Sequence, residues 1–215
     1  MQTGPGGNDD AAGVSTILEV ARALSTGPRL RNDVVLLLTD GEEACLCGSQ
    51  AFVDQDGPAR GKGVALNVEA RGSSGPAIMF ETSRHNRKLV EIFGRGPKPV
   101  GTSFAVEIYR LLPNDTDFSP FRDNGFSGLN SSYLDGAAVY HGPTDLPSAM
   151  DRDSLQHHGD TTLYLARSLG GMDLAATKAS GDATYFPVPW GQATFSGGLV
   201  WPLAGLALLL SLIHI

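Results

Sequence analysis

The sequence predicts an α/β fold in which helices alternate with short strands buried on both faces. Residues 32–39 and 63–68 are continuous aliphatic and β-branched runs, as is typical of parallel strands covered by helices on both sides. Apolar residues in 11–24 recur at three- and four-residue spacing, which indicates a helix with one apolar face. Ligands bind at the ends of strands in such sheets, so we expect the functional residues there.

The first half of the chain is predicted to begin with this helix. Its apolar positions are Val14, Ile17, Leu18, Ala21 and Leu24. Asn8, Asp9 and Asp10 stand where capping residues are found. Strands follow at 32–39, 63–68 and 77–81, each an apolar run of strand length.

The second half continues the alternation of helices and strands. Residues 87–93 are predicted to be helical, whereas 104–110 can be read as helix or strand. Residues 126–133 and 137–140 are predicted strands, and a last helix begins at Asp153.

Composition favours a folded domain. The chain has 215 residues, 41% hydrophobic and 18% charged, and a formal charge of −7. That charge leaves no basic stripe for phosphate backbones, so we expect no nucleic-acid partner. Cys45 and Cys47 are two residues apart, a separation that rarely meets disulfide geometry, so we expect them to be small apolar fillers.

The C-terminal part has a different composition. Residues 173–196 are rich in Gly, Ser, Thr and Pro and are predicted to be a linker. Residues 197–215 are 19 mostly apolar residues, and a helix of that length spans about 28 Å, close to a bilayer core. We expect the start of a transmembrane helix that tethers the chain to a membrane; a buried or disordered tail is the alternative.

Two adjacent carboxylates follow the first predicted strand, in the segment Asp40-Gly41-Glu42-Glu43. A carboxylate leaving water costs more than packing recovers, so such a pair is normally held by a cation or by specific hydrogen bonds. A metal ion is the simplest partner.

Further metal-binding side chains stand at other element boundaries. Asp9 and Asp10 follow a turn rich in Gly and Pro, Glu69 ends a strand, and His141 follows the run 137–140. Carboxylate oxygens with one imidazole suit zinc, with manganese or cobalt as alternatives. The lack of a cysteine cluster argues against a structural zinc-thiolate site.

Residues 1–170 resemble the di-zinc aminopeptidase family. The resemblance is closest to its membrane-anchored endoplasmic-reticulum and vacuolar members and their bacterial relatives. It rests on four motifs in family order: Gly4-Pro5-Gly6-Gly7-Asn8-Asp9-Asp10, Asp40-Gly41-Glu42-Glu43, Asn67-Val68-Glu69-Ala70-Arg71-Gly72 and Tyr140-His141-Gly142-Pro143-Thr144-Asp145.

The resemblance implies a three-layer sandwich with a mixed, mostly parallel central sheet, helices on both sides and a C-terminal apolar helix. Family members carry a His-x-Asp motif shortly before the bridging aspartate, and residues 1–8 contain no histidine. We therefore expect a fragment cut at both ends, whose partial catalytic domain (1–172) lacks its first strands and is inactive by itself. A site for one metal is the alternative.

The resemblance also implies a role for each matching residue. Asp9 would bridge two zinc ions. Glu43 and His141 would be the other ligands of one ion, and Glu69 would bind the second. Glu42 would be the general base that acts on a metal-activated water, and Tyr140 would hydrogen-bond the oxyanion. Asp117 would support the ligands or contact the substrate amine, and Asp145 would be a turn or supporting residue.

The function implied is a zinc-dependent aminopeptidase that hydrolyses N-terminal peptide bonds of peptide substrates. The resemblance places it at a membrane, with a lumenal or periplasmic catalytic domain. Two alternatives stay open: a glutaminyl-cyclase-like acyltransferase that uses one zinc, and a non-catalytic receptor or scaffold domain that kept the fold.

Overall fold

The centre of the molecule is a mixed four-stranded sheet. The computed structural model describes residues 4–55, 63–178 and 181–213. The strands are β1 (Val64–Ala70), β2 (Ile78–Thr82), β3 (Val100–Gly101) and β4 (Ser127–Tyr133), in the order β1-β4-β2-β3. β1 pairs in parallel with β4 and β2 with β3, whereas β2 and β4 are antiparallel. The predicted α/β fold with a mostly parallel sheet is confirmed; that first strands are missing stays a prediction.

The helices cover this sheet and connect its strands. They are α1 (Ala11–Ser25), α2 (Glu42–Cys45), α3 (Cys47–Asp54), α4 (Arg87–Phe93), α5 (Ser103–Tyr109), α6 (Phe118–Asp123), α7 (Arg152–Gly171) and α8 (Val200–Ile213). α5 resolves the ambiguous segment 104–110 as helix. α1 packs beside α7 and β1, which places its first turn near the end of β1.

Aspartates cap the two longest helices. The carboxylate of Asp10 accepts a hydrogen bond from the Gly13 backbone amide at 3.0 Å, as the capping prediction required. Asp151 accepts from the Ser154 amide at 2.8 Å, so α7 begins slightly earlier than the predicted Asp153.

The main hydrophobic core lies between the sheet, α4, α5, α7 and a C-terminal hairpin. It contains Met79, Leu89, Val90, Ile92, Phe93, Val106, Leu129, Leu165, Leu169, Ala183 and Tyr185. Burying a large aliphatic side chain contributes about 1.5–3 kcal/mol, so this cluster holds the layers together.

Residues 32–39 do not form the predicted strand. No strand pairing is assigned to them within the described ranges, and the Val35 residue is 63% exposed. A cavity of about 630 Å³ is lined both by this segment and by β1. An aliphatic run predicts strand tendency, but a strand also needs a hydrogen-bonding neighbour, which the described residues do not supply.

Residues 137–140 also differ from the predicted strand. Ala137–Val139 is a single 3₁₀ turn. It begins after Gly136, whose φ of 70° lies in the left-handed region that glycine adopts readily. The Val139 carbonyl accepts from the Gly142 amide at 2.9 Å, so the chain turns back here instead of extending.

Residues 183–196 are folded, in contrast to the linker predicted for 173–196. They form the antiparallel hairpin β5 (Ala183–Val188) and β6 (Gly191–Ser196). Ala183 and Tyr185 belong to the main core, and the Asn86 side chain accepts from the Ala183 amide at 2.9 Å. Alternate apolar residues in β5 therefore bury one face, a period-two signal obscured by the Gly- and Thr-rich composition.

The C-terminal apolar helix α8 has 14 described residues, none of them buried. Among the described residues no helix combines the length and apolar character needed to cross a bilayer. The transmembrane helix predicted for 197–215 is therefore not seen, and residues 214–215 lie outside the description.

Cys45 and Cys47 form a disulfide, contrary to the prediction of unpaired fillers. Leu46 between them has a φ of 52°, and this turn at the junction of α2 and α3 brings the two Cα atoms to 4.9 Å. That separation is within the usual disulfide range.

Candidate metal centre

Three side chains from distant parts of the chain meet in one cluster. Asp9, Glu43 and His141 each offer a ligand atom, and these atoms all lie within 4.8 Å of one another. His141 Nε2 is 3.1 Å from Asp9 Oδ2 and 2.8 Å from Glu43 Oε1. Two carboxylates and one imidazole around a common point are a donor set that suits zinc, and three protein ligands are typical of catalytic zinc sites.

Asp9 is positioned by a buried network just before α1. The Asp145 carboxylate accepts from the backbone amides of Asn8 and Asp9 at 2.8 and 3.1 Å and from the Asn8 side chain at 2.8 Å. The Tyr133 hydroxyl donates to Asn8 Oδ1 at 3.0 Å. Asp145 is 2% exposed and thus supports the segment that carries Asp9.

Glu43 and Glu42 lie in the first turn of α2. Gly41 precedes them with a φ of 73°, which a residue with a side chain would adopt only with strain. This turn brings the chain from residues 32–39 into the helix and directs Glu43 toward His141. Glu42 is not part of the three-ligand cluster.

His141 follows the 3₁₀ turn and stacks on its neighbour Tyr140. The two ring centroids are 3.5 Å apart with planes at 24°. His141 has a φ of 56°, a conformation in which histidine is enriched among non-glycine residues. The stack limits the rotation of the imidazole and keeps Nε2 directed at the two carboxylates.

The electrostatics of the cluster favour a cation. Burial, and then the charge of Glu43, raise the pKa of Asp9 to about 6, against the opposing effect of His141. Burial, followed by Glu43 and Asp117, raises the pKa of Glu42 to about 7. Carboxylates that destabilise one another in this way are stabilised by a divalent ion, so the residues present fit a metal.

Glu69 and Asp10 form a second acidic pair beside the first cluster. Burial, and to a smaller extent the charges of Glu42 and Asp9, raise the pKa of Glu69 to about 8. The side-chain amide of Asn67 donates to Glu69 Oε1 at 2.8 Å, and this hydrogen bond opposes the rise. Burial and the charge of Glu69 raise the pKa of Asp10 well above its usual value. Neither Glu69 nor Asp10 belongs to the three-residue cluster, although both were named from the sequence as candidate metal-binding groups.

Asp117 and Tyr140 complete the predicted site residues. The Asp117 carboxylate accepts from the Thr39 hydroxyl, and its charge contributes to raising the pKa of Glu42 and Glu69. Asp117 lines the same cavity as these two residues. Burial raises the pKa of Tyr140 to about 12, so its hydroxyl keeps its proton at neutral pH.

Arg71 is a site residue that the sequence reasoning did not single out. Its Cζ atom lies over the Tyr140 ring, 5.0 Å from the centroid. With the Asn114 amide oriented to satisfy both groups, its oxygen accepts from Arg71 at 2.7 Å. The sequence feature that could have identified Arg71 is its position two residues after Glu69, within the same motif.

The two histidines of α7 are structural in their contacts. His158 is buried, lies 2.9 Å from the Ser131 hydroxyl, and has its pKa lowered by burial to about 3. His157 Nδ1 accepts from the Ala77 amide at 3.0 Å. His214 lies outside the described residues.

Sequence comparison places these features in a family. The model of peptidase family M28 matches residues 1–166. Human endoplasmic reticulum metallopeptidase 1 is 32% identical over 192 residues, which cover 86% of this chain and 21% of that protein. A vacuolar membrane protease of Botryotinia fuckeliana is 29% identical, with 79% and 16% covered. The chain thus spans 21% and 16% of the length of these two relatives.

Solved structures agree on the fold. An aminopeptidase from Aneurinibacillus sp. strain AM-1 superposes with a TM-score of 0.65 at 17% identity, over 80% of this chain and 42% of that one. The zinc aminopeptidase BSAP from Bacillus subtilis gives 0.60 at 20% identity, over 79% and 43%. The match to the family model over residues 1–166 identifies the chain as a member of the M28 metallopeptidases, as its motifs predicted.

Proposed function

We propose that this metallopeptidase is a zinc aminopeptidase, which releases residues from the amino terminus of peptides. The observation that carries the proposal is the convergence of Asp9, Glu43 and His141, with Glu42 beside them but outside the ligand group. The structural neighbours are aminopeptidases, which supports the reaction type.

We assign Asp9, Glu43 and His141 as ligands of one zinc ion. We assign Asp9 and Glu69 as ligands of a second. Bound zinc acidifies water and polarises the substrate carbonyl. The acidic surroundings of Glu69 support the second assignment, because Asp9, Asp10 and Glu42 all lie close enough to affect proton binding.

Glu42 is the residue we assign as general base. Glu42 lies beside the cluster without being one of its three ligands, so its carboxylate is the one we assign to accept and return a proton. In this role Glu42 takes the proton of the attacking water and delivers it to the leaving amine. Asp117, in the same cavity, is the carboxylate we assign to the substrate ammonium group.

A blocked substrate tests the assignment. The longest natural form of the protein, loaded with zinc, is expected to release single residues from a peptide with a free amino terminus, because acidic side chains receive the ammonium group. The same peptide with an acetylated terminus should be cleaved at least about a hundredfold more slowly, since it lacks the charge and adds bulk. Mass spectrometry of the products gives the cleavage site, and internal cleavage of both peptides would contradict the proposal.

Tyr140 is the residue we assign to the oxyanion. Because burial raises the pKa of Tyr140 to about 12, its hydroxyl is protonated at neutral pH and has a proton to donate to the substrate. Tyr140→Phe is expected to lower kcat by about 10²–10³ with little change in KM, as for loss of one oxyanion donor. Steady-state kinetics beside Tyr185→Phe, a change in the main core, provides the control; an unchanged kcat would remove Tyr140 from the chemistry.

A glutaminyl-cyclase-like acyltransferase is the second candidate. One observation favours it: an aspartate, a glutamate and a histidine form the three-ligand cluster, whereas Glu69 lies outside it. One zinc per chain, together with cyclisation of peptides that begin with glutamine, would support the cyclase. Two zinc ions and amino-acid release would support the peptidase.

We propose that the whole protein is located at a membrane. We also propose that residues 1–172 are part of its catalytic domain. The relatives include a protein named for the endoplasmic reticulum and one named for the vacuolar membrane. The disulfide between Cys45 and Cys47 supports a lumenal or extracytoplasmic side, because disulfides persist in oxidising compartments.

A further inference from the structure

A second cavity, of about 1080 Å³, lies beyond the metal centre. Its wall includes the segment after β2, the end of α5 and the residues that follow, and Lys178. The cationic side chains in this wall are Arg84, Arg110, Arg122 and Lys178. Four cations around one cavity are unexpected in a chain with a net charge of −7.

The cations in the wall differ in how far they are already neutralised. Arg122 pairs with the buried carboxylate of Glu81 and contacts Asp123 at 2.9 Å, so it has little charge to offer a ligand. Arg110 pairs with Glu107 at 2.5 Å.

Arg84 and Lys178 are exposed. In the parts of the chain that the structure describes, neither has a carboxylate within ion-pair distance. These two side chains are therefore the ones available to an anion.

The two carboxylates of the wall have partners other than Arg84 and Lys178. Asp123 pairs with Arg122, and Asp115 accepts from the Ser119 hydroxyl at 2.6 Å. Arg84 and Lys178 are thus the two cations of the wall without a carboxylate partner among the described residues, and unpaired charge in a concave surface concentrates ligands of the opposite sign.

Side-chain contacts lead from the wall of the cavity at Asn114 to the residues beside the metal centre. This residue lines the cavity, and its amide oxygen accepts from Arg71, which covers the ring of Tyr140 beside His141. An extended peptide advances about 3.3 Å per residue. A peptide that ran from the metal centre past Arg71 and Asn114 would reach the wall of this cavity after a few residues.

We infer that this cavity binds the downstream part of peptide substrates that carry acidic side chains there. The inference rests on the proposed aminopeptidase function and adds a substrate class to it. The two ends of the surface match such a peptide: carboxylates at the metal centre receive the terminal ammonium group, and Arg84 and Lys178 receive glutamate or aspartate side chains beyond the cleaved bond.

Matched peptides test the substrate class. Two hexapeptides share their first three residues and end in three glutamates or three glutamines. The acidic peptide is expected to have a KM about five- to tenfold lower at low salt, and the difference should vanish near 1 M salt because exposed charges are screened. Equal KM values at low salt would overturn the inference.

Charge reversal localises the effect. In the double variant Arg84→Glu and Lys178→Glu, the acidic peptide is expected to lose its advantage. The control, Arg95→Glu and Arg167→Glu, makes the same change in net charge at exposed positions outside the cavity wall and should retain the preference. Equal loss in both double variants would show a general charge effect and contradict the cavity as the site.

A binding measurement separates this inference from the proposed reaction. Fluorescence anisotropy with a labelled triglutamate peptide reports on the cavity even if the protein hydrolyses no peptide. Weaker binding in the Arg84 and Lys178 variant, with unchanged binding in the control, would support the cavity on its own. Binding that is absent, or equal in all three proteins, would refute it.

Discussion

Glu42→Gln is expected to lower kcat for peptide hydrolysis by about 10²–10⁴, the range for loss of a general base. The amide keeps the size of the side chain but cannot accept a proton at neutral pH. Glu42 lies outside the cluster formed by Asp9, Glu43 and His141, so the zinc content, measured by mass spectrometry, should be unchanged. Retained metal with lost turnover distinguishes a residue that acts in the reaction from a metal ligand.

Two further variants make this result interpretable. Glu43→Gln removes a residue of the cluster and should reduce both zinc content and turnover. Glu91→Gln changes a partly exposed glutamate on α4, paired with Lys88 at 3.6 Å, and should leave both properties at the level of the unchanged protein. If Glu42→Gln retained full turnover, another group would have to be the base.

The metal-free protein is expected to lose stability as the pH rises from about 6.5 to 8. Glu69 and Glu42 have pKa values raised by burial to about 8 and about 7. Over this range the unfolded chain has released these protons and the folded chain still holds part of them, so the free energy of unfolding falls with pH. Each proton that the folded chain holds and the unfolded chain has released lowers the free energy of unfolding by about 1.4 kcal/mol per pH unit. For Glu69 alone the decrease between about pH 6.5 and 8 is roughly 2 kcal/mol.

Zinc is expected to reverse this trend, because its ligands bind as carboxylates and metal binding releases protons. Urea unfolding with zinc and with a chelator, at pH 6.5 and 8, measures both slopes. The pH range begins at 6.5 because burial lowers the pKa of His158 to about 3. Below pH 6.5 the free energy of unfolding therefore rises with pH through this residue, opposite to the effect of the glutamates. Glu69→Gln should flatten the slope of the metal-free protein; a stability that rises with pH in chelator would contradict the assignment of these groups.

Local patterns were sufficient where an element is defined by its own residues. The period of apolar residues in 11–24 and the aspartate before it predicted α1, and the apolar run at 63–68 predicted most of β1. Element boundaries indicated the acidic segments and His141, and the resemblance to the aminopeptidase family named Asp9, Glu43, Glu69 and His141 as ligands. The structure brings Asp9, Glu43 and His141 together. Their roles in a reaction stay predictions.

Features that depend on residues far apart in the sequence could not be predicted from local patterns. The segment 32–39 has the composition of a strand but no neighbouring strand among the described residues, and 183–196 has the composition of a linker but packs Tyr185 into the core. Arg71 gains its place from contacts with Tyr140 and Asn114. The disulfide depends on a backbone turn at Leu46 that no residue pattern signals.

The uncovered aliphatic segment 34–38 has a practical consequence for measurements on this chain. Exposed β-prone backbone without a neighbour promotes self-association. The segment lines the same cavity as Asp9 and Glu43, so molecules that aggregate through it would also block access to these candidate metal ligands. Light scattering across a dilution series should therefore accompany every assay, because activity lost on concentrating the sample would otherwise be mistaken for a catalytic defect.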